Sequence, residues 1–181
     1  MPVSAYKKLV PAFGTGFNNM GGTPSIAYWA PKGDFLALQD LPASPTNPED
    51  KYVIATAHTF ATGGRFYEMY TSQQKGRVQY EALGGEDGNG WKVTFTAFLP
   101  SDSKDLTYMA NNIRSDWGIF LVPDADGKLN QIGNAVCKPM VTMTFDTETV
   151  TGDGKGYMIT VVAYMPWKII YAAAVTTTPA S

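Results

Sequence analysis

Two stretches, RVQYEAL (77–83) and WKVTFTAFL (91–99), alternate apolar and polar residues with a period of two. Val78, Tyr80 and Ala82 fall on one side of the first, and Trp91, Val93, Phe95 and Ala97 on one side of the second. A helix brings residues three and four apart together, so it would scatter these side chains around its axis, whereas a pleated strand lines them up. The intervening GGEDGNG carries the glycines and Asp/Asn residues that a hairpin loop needs. The chain is thereby committed to an antiparallel sheet with one buried face.

Only one segment has the helical period. In PSDSKDLTYMANNIRSD (100–116), Leu106, Met109, Ala110 and Ile113 follow the i, i+3, i+4, i+7 spacing, and Asp105 suits the positive end of a helix capped by Ser101 or Asp102. This predicts one flanking α-helix over about residues 102–115. KYVIATAHTFA and GRFYEMYTS upstream, then GIFLV, KLNQIG, KPMVTMTF, YMITVVAYM and KIIYAAAV downstream, are β-branched and aromatic and read as strands. The first fifty residues are broken by Gly, Pro, Asn and Asp clusters, with three prolines between Leu41 and Asp50; they read as an irregular arm or loop region containing two short strands, SIAYWA and FLALQDL. Residues 175–181 read as a short flexible tail. The expectation is a single mainly β domain over 1–181, a β-sandwich or split barrel with one helix and long loops.

Composition narrows the function. Hydrophobic residues make up 44% and charged residues 17%, enough apolar content for a core and some interface, and 14 basic against 16 acidic residues without a basic run remove the electrostatic footprint of a protein that grips phosphates. A lone cysteine, Cys137, with a lone histidine, His58, cannot build a zinc site or an internal disulfide. No window approaches 18 uninterrupted apolar residues, so no membrane-spanning helix is expected.

The motifs that could carry chemistry read as structure. PDADGKLNQIGN offers Asp124, Asp126 and Gly127 to a calcium loop but lacks the closing glutamate and the flanking helices, so Asp126-Gly127 is expected to be a hairpin turn. Glu86 and Asp87, like Asp146, Glu148 and Asp153, sit on glycine-rich turns where nothing raises a carboxyl pKa for acid work. Any triad must pass through His58, yet no G-x-S-x-G elbow is present and Cys137 has no helix-start signature. The glycine clusters GTGFNN and GDGKGY lack dinucleotide-fold and P-loop spacing. No enzyme, metal or cofactor is expected. Two aromatic groups remain, Phe66, Tyr67 and Tyr70 near one bend and Tyr164, Trp167 and Tyr171 near another; core or subunit contacts use such rings more often than a sugar platform does.

From about His58 to Tyr171 the order of elements resembles the tail tube proteins of long-tailed bacteriophages, especially the short tube subunits of phages infecting Bacteroidetes. AHTFATGGRFYEMYTS resembles that family's turn into a long strand, and GRVQYEALGGEDGNGWKVTFTAFLPSDSKD resembles its hairpin and proline-led loop into the helix. SDWGIFLVPDADGKLNQIG is similar to its post-helix strand and hairpin, and FDTETVTGDGKGYMITV to the threonine- and glycine-rich turn that opens a late strand. The resemblance implies a structural virion protein, made in the host cytoplasm, six copies of which join strands into a ring. Rings would then stack into a hollow tail tube. It implies that the partners are further copies and other tail proteins such as tape measure and terminator, with DNA only as passing cargo. Within this reading Phe66, Tyr67, Met69 and Tyr70, on the stretch Gly63 to Gly76, and Tyr164 and Trp167 are the subunit-interface candidates. A head-to-tail connector or tail terminator ring, and a carbohydrate-binding β-sandwich, are the alternatives.

Overall fold

The computed structural model describes residues 21–72, 75–84, 89–148 and 154–180. Its strands are β1 (Ile26–Pro31), β2 (Phe35–Ala37), β3 (Val53–Ile54), β4 (Thr59–Phe60), β5 (Tyr67–Tyr70), β6 (Arg77–Leu83), β7 (Gly90–Leu99), β8 (Gly118–Pro123), β9 (Leu129–Ile132), β10 (Met140–Asp146), β11 (Gly156–Met165) and β12 (Ile169–Tyr171). One α-helix, α1 (Lys104–Asn112), lies among the described residues between β7 and β8. The strands form a six-stranded sheet in the order β3-β12-β9-β8-β1-β5, a four-stranded sheet in the order β10-β11-β7-β6, and a small β2–β4 pair. The result is mainly β, a sandwich with one flanking helix.

The alternation read in the sequence sets the four-stranded sheet. Val78 pairs with Phe95, Tyr80 with Val93 and Ala82 with Trp91, so both apolar rows share one face. β11 adds Ile159, Val161 and Ala163 to the same face opposite Ala97, Phe95 and Val93, all fully buried. In the larger sheet every residue of β8 is buried, as the unbroken apolar run GIFLVP requires of a strand covered on both sides. The two sheets contribute to one continuous core.

α1 packs Leu106, Met109, Ala110 and Ile113 against that core, and the Thr107 hydroxyl lies 3.0 Å from the Tyr157 hydroxyl. The cap is Ser103, one or two residues later than expected, because its Oγ accepts the Leu106 N–H at 3.2 Å. Asp102 turns instead to Lys155, 3.2 Å away.

Three expectations change. KYVIATAHTFA is not one strand: a 3-10 turn (Pro48–Tyr52) leads into β3, and the ladder breaks before β4 where His58 turns inward. The described part of the N-terminal region is no loose arm, since β1 is an interior strand pairing with both β5 and β8; residues 1–20 lie outside the described residues. The segment 175–180 is docked rather than flexible, because the Gly63 and Phe66 N–H groups donate to the Ala180 and Thr176 carbonyls at 2.8 Å and Ala180 N–H returns to Gly64 at 3.1 Å.

Candidate functional site

Asp126-Gly127 is the hairpin turn between β8 and β9. Gly127 has φ +86°, which glycine adopts without strain, and its N–H donates to the Asp124 carbonyl at 2.9 Å while Asp124 N–H donates to Lys128 O at 2.7 Å. The Asp126 carboxylate takes the Lys128 ammonium at 2.7 Å, and that hydrogen bond holds its pKa below the usual value, the reverse of what a general acid needs. Asp124 accepts the Asn130 side-chain amide at 2.6 Å. Glu148 donates its N–H to the Asp146 carboxylate at 2.9 Å, a local turn contact. Glu86, Asp87 and Asp153 lie outside the described residues. Among the described residues no group of His, Cys, Asp and Glu could hold a metal ion, and no helix is long and apolar enough to cross a membrane.

His58 is 4% exposed. Its Nδ1 accepts the Gln39 N–H at 3.0 Å, and its Nε2 faces Gln131 Oε1 at 3.0 Å. Gln131 spends its own NH2 on the Gly133 carbonyl, so Oε1 must accept and Nε2 must carry the proton. The imidazole is neutral and doubly engaged. Burial lowers its pKa, with the Gln131 bond opposing. The His58 backbone N–H donates to the Tyr171 hydroxyl at 3.2 Å, and the rings of Tyr171 and Phe35 lie 4.9 and 5.6 Å from the imidazole. His58 thus ties the loop after β2 to β9 and β12.

The aromatic candidates separate into core and surface. Phe66 is 1% exposed and stands among Phe35, Phe60 and Tyr171, so it is a core ring and not an exposed interface anchor. Met69, 5% exposed, is likewise buried, since it points from β5 into the core. The docked segment 176–180 runs beside residues 63–66, which is why a ring next to a glycine turn ends inside. Tyr67, Tyr70, Tyr164 and Trp167 do reach the surface. Tyr67 lies under Arg65 and against Trp29, and the Trp167 ring lies 5.1 Å from that of Tyr52, tilted to it by 36°, with Lys51 over both rings. Tyr164 projects from the outer face of the four-stranded sheet, opposite Lys92.

That outer face is the broadest feature. Among the residues that alternate with the buried rows, Thr94 and Thr96 on β7, Thr160 and Val162 on β11, and Thr142 and Thr144 on β10 are not buried, whereas Phe98 at the end of β7 is 6% exposed, with the Lys75 ammonium 4.8 Å from its ring. Register places Thr96, Thr160 and Thr142 side by side across three strands. Among the described residues the charges at this face are Arg77, Glu81, Lys92 and Asp146, with Glu81 and Lys92 paired at 3.5 Å, and Lys75, which reaches over Phe98 at one end. Its borders are β6 and β10, each seven residues long and each hydrogen-bonded on one side only among the described residues. The signal for this face is present in the repeated V-T-x-T of 93–96 and 141–144. Beside β10, an open groove of about 420 Å³ runs under α1 past Asn111, Arg114, Met143 and Phe145. Comparison with protein-family models, with curated proteins and with solved structures finds no match for this chain.

Proposed function

We propose that the chain is a structural subunit that closes into rings and stacks into a hollow tube, as the tail tube subunits of long-tailed bacteriophages do, with DNA as passing cargo. One observation carries this reading: among the described residues, a largely exposed, threonine-rich face with few charges lies between two seven-residue strand edges that pair on one side only. Exposed edges of that length are a hazard in a monomer and are normally shortened, charged or covered; joining them between copies removes them. Six four-stranded sheets closed into one barrel would span about 45–50 Å at the backbone, taking ~4.8 Å between strands and a tilt of about 40°. Barrels of about 16–18 strands already enclose an aqueous channel, and diameter grows with strand number. A wall dominated by threonine hydroxyls rather than by a run of basic groups lets a polyanion pass without holding it.

Negative-stain electron microscopy with light scattering over a concentration series tests the reading. Long hollow tubes of uniform width are the expected result. Rings that never stack would favour the connector or terminator alternative, and a monomer at all concentrations that binds glycans on an array would replace the reading with a carbohydrate-binding one.

A further inference from the structure

We infer that β6 of one copy pairs in full antiparallel register with β10 of a second copy, Arg77 opposite Asp146 and Leu83 opposite Met140. The inference rests on the assembly reading above and deepens it by specifying the seam. Along the four-stranded sheet each strand is antiparallel to its neighbour, so the two outermost strands, β6 and β10, run in opposite senses. A copy placed beside another therefore continues the same antiparallel ladder.

Register follows from matching the two edges. Each strand has seven residues. On the outer face β6 carries Arg77, Gln79, Glu81 and Leu83, and β10 carries Met140, Thr142, Thr144 and Asp146. Full overlap sets the cation against the anion at one end, Leu83 against Met140 at the other, and Gln79 and Glu81 against hydroxyls. On the inner face it sets Val78 against Phe145, the Tyr80 ring against Met143 and Ala82 against Val141. This disposes of three large exposed side chains at the edges, Leu83, Met140 and Phe145, which are 38%, 57% and 43% exposed in the single copy. A slip of two residues either way breaks the charge pair, and a slip of one turns every inner side chain outward. Pairing either edge with its own copy sets Arg77 against Leu83, or Asp146 against Met140. The heterologous seam is the better match, and a heterologous contact closes into a ring or continues as a filament.

The test is disulfide trapping in a Cys137→Ser background. Gln79→Cys with Thr144→Cys puts the two thiols directly opposite each other across the seam. Within one copy β6 and β10 are three strand spacings apart, about 14 Å or more, beyond disulfide reach, so every bridge formed joins two copies. The offset pair, Gln79→Cys with Thr142→Cys, and each single variant serve as controls. The expected result is a ladder of covalent oligomers for the opposite pair, formed at least about ten times faster than for the offset pair, and none for the single variants. Arg77→Asp alone should weaken self-association about five-fold per seam, with Asp146→Arg in the same chain restoring it. Assemblies that bridge equally well through the offset pair, or through Gln79→Cys alone, overturn this register and leave the tube reading standing. In-register bridges between copies that never close or stack overturn the tube and leave the register standing. Protein that neither assembles nor bridges overturns both.

Discussion

Acid should loosen this fold through a single side chain. His58 is the chain's only histidine, and its Nδ1 must stay unprotonated to accept the Gln39 N–H. Protonation would set an N–H against an N–H in a pocket walled by Phe35, Phe66 and Tyr171, where no carboxylate stands among its ring and hydrogen-bond partners to offset the charge. Its pKa is accordingly lowered below 6.5 in the fold, chiefly by burial. The unfolded chain therefore binds the proton first as pH falls. The stability that the neutral imidazole contributes is complete above 6.5 and is lost progressively below it, down to the lowered folded value. One proton sets the limiting slope at about 1.4 kcal/mol per pH unit, so a drop to pH 5 removes up to about 2 kcal/mol. Urea unfolding of the monomer at steps from pH 7.5 to 5 measures this directly. His58→Gln, which keeps a polar amide but cannot titrate, should start about 1–3 kcal/mol less stable and show little slope in the same window. A His58→Gln profile as steep as the parent's between pH 5 and 6.5 would refute the argument, because no other histidine exists to supply the slope.

Three further outcomes test the packing. Phe66→Ala should cost about 3–5 kcal/mol of monomer stability and Tyr70→Ala no more than about 0.5, a contrast measurable by urea unfolding that separates the core ring from the surface one. Ser103→Ala should cost about 1 kcal/mol through loss of the Leu106 cap bond, while Ser101→Ala changes the midpoint little. Gly118→Ala should cost about 2–4 kcal/mol in thermal or urea unfolding, since its Cβ would collide with the Ala30 carbonyl and the Trp29 indole nitrogen and force β1 from β8.

Local pattern carried the parts of this fold that are local. Val78/Tyr80/Ala82 against Val93/Phe95, the Leu106–Ile113 stripe and Asp126-Gly127 are all settled within a few residues of themselves, and each stands where its spacing places it. Phe66 defeats the same logic because what buries it lies far along the chain, in Tyr171 and the segment 176–180. His58 likewise finds Gln131 and Tyr171 at separations of 73 and 113 residues. The helix cap slipped because Ser101, Asp102 and Ser103 are all competent caps, and Asp102 is drawn to Lys155. The threonine face is a mixed case. That Thr94 and Thr142 point outward follows from alternation alone, but that Thr142, Thr160 and Thr96 form one row depends on the order β10-β11-β7-β6, which no short window encodes.

The same strand order separates the molecule in time. β6 and β7, like β10 and β11, are sequence neighbours joined by short connections, so each hairpin can close on the microsecond scale without long loops. The six-stranded sheet is stitched from remote pieces, β3 to β12 and β1 to both β5 and β8, whose pairing must wait for large loops to close. Both bordering strands of the threonine face are therefore available before the remainder of the molecule is in place, and hydrogen-exchange pulse labelling during refolding should protect β7 and β11 amides ahead of those in β12. A chain that readies its sticky borders first gains from folding dilute and cold, conditions under which neighbours meet rarely until each copy is complete.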